Sequence, residues 1–224
     1  MQCVIFDIDG TLVRSYNFDG ECYRRAVRDT IGDVSFRSDW GEYPQVTDEG
    51  ILQEVYSDNA LKFTGSGEVR AKFGQFVVEH LSCEPSSCVE VPGARVLMKL
   101  LQKDPNLHVG IATGGWRHTA SAKLDHVKIE YEDLPFFSSD DGINRIDIME
   151  LCRESMGCSP SETIYVGDGK WDMHATKTLG WRFIGIGPRL KGKCSAWVAD
   201  FESCDFDAFI KCTKRGYLSR VRTH

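Results

Sequence analysis

Between residues 92 and 186, short apolar runs and amphipathic helical patterns take turns, and this alternation limits the possible fold more than any other feature of the chain. The runs at 107–112, 136–138, 163–166 and 181–186 are short and continuously apolar, the mark of strands buried on both faces. Between them lie helical faces: Val96, Leu97, Leu100 and Leu101; then Ala120, Leu124 and Val127; then Ile148, Met149, Cys152 and Met156. Helix and strand in strict succession predict an α/β fold, a Rossmann-like doubly wound parallel sheet with helices on both sides. Cys3-Val4-Ile5-Phe6 supplies one more buried strand at the start, and a strand over 195–199 with a helix near 205–212 closes the fold.

Residues 16–90 break the rhythm. They hold three helical stretches, near 20–31, 48–59 and 68–80, and no convincing buried strand. A loop over 40–46 interrupts them, with Thr47 as N-cap and Asp48 and Glu49 in the following first turn. The expected division is a catalytic core of residues 1–15 and 91–224 around an all-helical insert of residues 16–90, with residues 14–18 leading out and Pro92-Gly93 leading back. At 224 residues the chain is long enough for such a core with a modest insertion.

The formal net charge of −6 argues against nucleic acid or an acidic membrane surface as the partner. No apolar run approaches a membrane span, and the first residues enter a strand at once rather than a secretory signal. Nine cysteines, an odd number scattered through apolar patterns, suggest reduced thiols and a cytoplasmic protein. Cys83 and Cys88 lack a nearby His or second pair and read as plain thiols.

Chemistry gathers where strands end. In a parallel sheet all the carboxyl ends share one edge, so residues remote in sequence can meet there. The first strand runs into Asp7 and Asp9, the 107–112 strand into Thr113-Gly114-Gly115, and the 163–166 strand into Asp168 and Asp172, while Arg145 opens a helix after the 136–138 strand. Each has an ordinary reading of its own. Asp-Gly is a good turn, Thr-Gly-Gly a common strand-to-helix junction, Arg145 a solvated helix residue and Asp172 a first-turn acid. Together they suggest more. Four aspartates in one place need a cation, and hard oxygen ligands without His or Cys call for Mg2+. The Thr113 hydroxyl with the free N–H groups beside it makes an anion cradle, and Arg145 adds a permanent positive charge. An anion site beside a carboxylate-held cation is what phosphoryl transfer requires.

These residues resemble the haloacid dehalogenase-like hydrolase superfamily. Asp7-Ile8-Asp9-Gly10-Thr11 matches its first motif, Ile111-Ala112-Thr113-Gly114 its second, and Gly167-Asp168-Gly169-Lys170-Trp171-Asp172 its fourth. The third motif normally supplies Lys, and Arg145 stands nearest to that position. The helical insert resembles a C1-type cap, as in the phosphoglycolate phosphatase and β-phosphoglucomutase branch. The resemblance implies that Asp7 attacks phosphorus to form an aspartyl-phosphate and that Asp9 acts as acid, then as base. It implies Mg2+ on the Asp7 carboxylate, the Asp9 backbone carbonyl and Asp168, with Asp172 direct or through a water. Thr113 and the Gly114 N–H would hold phosphoryl oxygens, and Arg145 would neutralise charge beside the nucleophile. The acid at Asp9 points to phosphate esters, hence a Mg2+-dependent phosphatase of a small phosphorylated metabolite. A phosphomutase acting on a sugar phosphate is the alternative, and a phospho-accepting signalling module a more distant one. Specificity candidates are Trp40, Glu42, Tyr43 and Gln45 in the loop of the insert, and Trp116 and Arg117 beyond the cradle. Glu21 and Arg25 are spaced as a helix-surface ion pair.

Overall fold

The computed structural model describes residues 2–203. Its centre is a six-stranded, all-parallel sheet built from β1 (Gln2–Phe6), β4 (Leu107–Ala112), β5 (Phe136–Phe137), β6 (Thr163–Gly167), β7 (Arg182–Ile186) and β8 (Trp197–Val198), in the order β5-β4-β1-β6-β7-β8. The first strand is therefore central, with Val4 opposite Val109 on one side and Ile164 on the other. Its side chains divide by parity, as a pleated strand requires. Val4 and Phe6 enter the core built with Leu97, Met98, Leu101, Ala120 and Leu124, whereas Cys3 and Ile5 pack with Ile148, Met149, Cys152 and Ala175. Helices α4 (Ala94–Gln102) and α5 (Arg117–His126) thus cover one face and α6 (Arg145–Ser155) and α7 (Lys170–Leu179) the other. This is the doubly wound α/β architecture that the alternation predicts.

Between β1 and α4 lie α1 (Tyr16–Ile31), α2 (Asp48–Asp58) and α3 (Gly67–Cys83). The first of these begins at Tyr16, four residues before its expected start, and Ser15 before it gives its hydroxyl to the Asp9 carboxylate rather than to a helix cap. Residues 16–18 are thus helix rather than outgoing linker. Two short strands, β2 (Val13–Arg14) and β3 (Val89–Glu90), were not expected; they pair antiparallel where the chain leaves and re-enters the core. Two-residue strands are too short to leave a periodicity in sequence. Glu21 pairs with Arg24 rather than Arg25, which turns to Asp29. Cys83 and Cys88 are free thiols. No helix among the described residues is long and apolar enough to cross a membrane. The helix expected near 205–212 lies outside the described residues.

Candidate active site

The carboxyl end of β1 is where the sheet delivers its chemistry. The Asp7 N–H still donates to the Val166 carbonyl at 3.0 Å, so Asp7 leaves the sheet held between β4 and β6. Gly10 then turns the chain at φ +80°, a conformation open to glycine, and a Cβ there would collide with the Tyr16 hydroxyl. One cavity at this edge is lined by Asp7, Asp9, Thr113, Gly114 and Arg145, all named from sequence. Single carboxylate oxygens of Asp7, Asp168 and Asp172 lie within 4.8 Å of one another.

The acids are not equivalent. Asp7 Oδ1 and Asp168 Oδ1 are buried without a hydrogen-bond partner among the described residues. Buried carboxylate oxygens without hydrogen bonds, Asp7 Oδ1 having only the Arg145 guanidinium at 3.5 Å, are costly unless a cation takes them, so this donor set fits a hard divalent ion. Asp172 spends both oxygens on protein donors, Arg145 Nη1 at 2.7 Å and the Gly169 N–H at 2.9 Å. It is built to hold Arg145, whose Nη1 then stands 3.5 Å from Asp7 Oδ1. Burial works against the Arg145 charge, but Asp172 and Asp7 outweigh it and hold the guanidinium firmly protonated. Burial in turn pushes the carboxyl of Asp7 up, with Arg145 opposing it.

Several residues in the site were not foreseen. Lys123, only 1% exposed, extends from α5 to Asp9 Oδ1 at 2.6 Å and Asp19 Oδ1 at 2.7 Å. Burial works against its ammonium, but Asp19 and Asp9 outweigh burial and raise its pKa. Its place one turn beyond Ala120 and next to Leu124, on the buried stripe of α5, is the signal that marks it. Arg189, three residues past β7, obeys the same strand-end rule that found the aspartates; its Nη1 lies 3.5 Å from Asp168 and its guanidinium 3.7 Å from the centre of the Tyr16 ring. The Tyr16 hydroxyl contacts both the Asp9 carbonyl, at 2.9 Å, and the Asp168 carboxylate.

The loop before α2 closes the cavity from the side of the insert. The Val46 carbonyl accepts from Arg145 Nη2 at 3.2 Å, the Thr47 hydroxyl donates to the Ile143 carbonyl, and the Asp48 N–H donates to the Gly114 carbonyl at 2.8 Å. The Asp48 carboxylate accepts the Trp116 N–H at 2.8 Å. Of the specificity candidates, Trp40 lines the cavity and Glu42, Tyr43, Gln45, Trp116 and Arg117 do not. Tyr43 is buried, its hydroxyl accepting the Arg37 N–H. Trp116 is fully buried between Tyr23 and Phe73. Arg117 leans away over Phe136 to reach Asp141, and Glu42 is exposed. Aromatic residues flanking a motif are pulled into the core by the area they bury.

Burial pushes three further carboxyls at this edge upward: in the cavity, Asp19 to about 6 with Lys123 opposing and Asp48 to about 8 with the Asp19 charge adding to the effect, and beside it Asp168 to about 7 against the Tyr16 hydroxyl. Each holds its proton more tightly folded than unfolded. Its contribution to stability is therefore complete below the ordinary carboxyl range and is lost as pH rises through the folded value. Without added metal, the melting temperature is expected to fall by at least ~3 °C between about pH 5 and about pH 8. Thermal unfolding across that window checks it, and a flat or rising curve contradicts it.

The haloacid dehalogenase-like hydrolase family model matches residues 4–186. A Clostridium perfringens protein provisionally named pyrophosphatase PpaX is 22% identical over 195 residues, covering 83% of this chain and 84% of that protein. Among solved structures, a hydrolase from Pseudomonas syringae aligns with a TM-score of 0.72 at 21% identity, over 94% of this chain and 98% of its own. A β-phosphoglucomutase from Clostridium difficile aligns with a TM-score of 0.73 at 16% identity, over 98% of this chain and 100% of its own.

Proposed function

We propose that this chain, which belongs to the haloacid dehalogenase-like hydrolase family, is a Mg2+-dependent phosphatase that releases phosphate from a small phosphorylated metabolite through an aspartyl-phosphate on Asp7. The observation that carries this reading is the convergence of Asp7, Asp9, Thr113, Gly114 and Arg145 on one cavity, beside the orphaned oxygens of Asp7 and Asp168. The donor set fits Mg2+ on Asp7, Asp168 and the Asp9 carbonyl, with Asp172 behind as the holder of Arg145. When bound, the ion supplies positive charge against which a phosphoryl group and the nucleophile can approach one another.

The chain's own residues do the rest. Thr113, steadied by the Gly115 N–H, and the Gly114 N–H cradle phosphoryl oxygens, and Arg145 lies close enough to Asp7 to offset its charge. An Asp7 oxygen attacks phosphorus as the bond to the ester oxygen breaks, and Asp9 gives its proton to that departing oxygen. A water then attacks the phosphorus, passing a proton to Asp9, and the bond to Asp7 breaks to regenerate the carboxylate and release inorganic phosphate. Ser15 and Lys123 hold Asp9 Oδ1, which aims Oδ2 over Gly115. Residues 16–90 act as the cap, keeping bulk water from the intermediate.

Phosphate release from an aryl phosphate, measured with Mg2+ and with chelator, tests the reading. Turnover that needs the ion is expected, with at least ~100-fold loss on chelation. Turnover indifferent to chelator, or a stable phospho-protein without turnover, refutes it.

A further inference from the structure

The cavity has two ends of opposite character. At the phosphate end stand Arg145, the Thr113 hydroxyl and the glycine backbone. At the other end, toward α1 and α2, Asp9 and Asp19 share the Lys123 ammonium, and Asp48 lines the same cavity with no ion pair among the described residues. Asp48 does not simply satisfy its helix. Thr47, not Asp48, caps α2 by accepting the Gly50 N–H, while the Asp48 side chain turns to the core and takes the Trp116 N–H on Oδ2. That oxygen and Asp9 Oδ2 face the same point above Gly115: a Cβ built there would lie 3.8 Å from the former and 3.7 Å from the latter. Asp9 is the group that meets the ester oxygen in the reading above. The atoms beyond that oxygen, those of the leaving group, must therefore lie toward Asp48, with Tyr23 and Trp40 among the walls.

From this arrangement we propose that Asp48 selects the leaving group: it accepts a hydrogen bond from a hydroxyl or ammonium donor on the substrate and turns away any substrate with a second phosphate at that end. The inference rests on the phosphatase reading and adds its substrate class, a monophosphate ester of a polyol or amino alcohol. Lys123 is already shared by Asp9 and Asp19, so this end offers a second anion no unengaged cation, whereas a donor meets the Asp48 acceptor. A donor on the substrate gives Asp48 Oδ2 a second partner beside the Trp116 N–H, a bond that a substrate lacking the donor forgoes.

The test compares kcat/KM for ethanolamine phosphate, glycerol phosphate, phenyl phosphate and a hexose bisphosphate, using the full chain with Mg2+. In the unaltered protein the two donor-bearing monophosphates are expected to exceed the bisphosphate by at least ~100-fold. Whichever of the two is preferred assigns the donor as ammonium or hydroxyl. In Asp48→Asn the ratio of the better one to phenyl phosphate is expected to fall at least ~10-fold, mostly through KM. Asp48→Lys is expected to reverse the order, raising the bisphosphate relative to the monophosphates, a gain that structural damage does not produce. If the unaltered protein hydrolyses phenyl phosphate but prefers the bisphosphate, or if the ratios are unmoved in both variants, the selection by Asp48 is overturned and the phosphatase reading stands. If none of the four releases phosphate, both fall.

Discussion

Asp7→Asn is expected to cut phosphate release by at least ~1,000-fold while making the metal-free protein harder to melt. The two effects have one cause. Asp7 is a buried carboxylate with one oxygen free of hydrogen bonds among the described residues, packed beside the carboxylates of Asp168 and Asp172. As a charged group it is ready to be a nucleophile and costly to keep. An amide of the same shape has no anionic oxygen to attack phosphorus, and it removes one charge from a repelling group. Arg145 keeps its 2.7 Å contact to Asp172, so the guanidinium is not orphaned by the change. A relief of about 1 kcal/mol corresponds to a rise of roughly 2–4 °C for a chain of this size. Activity within tenfold of the unaltered protein would place the nucleophile elsewhere. A drop in melting temperature would mean that the Asp7 charge, not Asp172, holds Arg145 in place.

Lys123→Met is expected to be the most destabilising single change at the site. Met keeps the linear shape and fills the slot on the buried stripe of α5, but it leaves Asp9 and Asp19 facing each other without their shared cation. Removing one partner of a buried ion pair costs about 3–5 kcal/mol, and the lower end applies because both carboxylates are about one-fifth exposed. A loss of about 3 kcal/mol is roughly 6–12 °C in melting temperature. Adding Asp19→Asn to the same chain removes one of the two stranded charges and is expected to recover about half of the loss. Denaturant unfolding of the single and double variants decides the matter. If Asp19→Asn brings no recovery, the lysine matters for packing and not for charge.

The sheet was legible because buried parallel strands and amphipathic helices have different periods, and their alternation survives in the sequence as plain apolar patterning. Asp7, Asp9, Asp168, Thr113 and Arg145 were legible because strand polarity alone carries their neighbourhoods to one edge. What escaped were residues whose environment is made by the fold. Asp19 and Asp48 look like acids in the first turn of a helix, and nothing local tells that reading from a wall of the cavity. Lys123 looks like a solubilising helix residue until its position on the apolar stripe is weighed. Ser15 resembles a helix cap, yet its hydroxyl is taken by Asp9, so α1 begins without a side-chain cap at Tyr16. Tyr43 and Trp116 stand away from the cavity for the opposite reason: their large aromatic groups are drawn into the core, while Trp40, also named from sequence, shares the cavity wall with Tyr23 and Trp171.

The pairing of Val13–Arg14 with Val89–Glu90 has a mechanical meaning. Two separate tethers would let the inserted helices wander and twist over the sheet edge. Laced together, they form a strap that can bend across its width but resists sliding of one ply along the other. In the phosphatase we propose, opening for substrate and product would then reduce to a single angle, and each return would bring Val46, Thr47 and Asp48 down on the same partners.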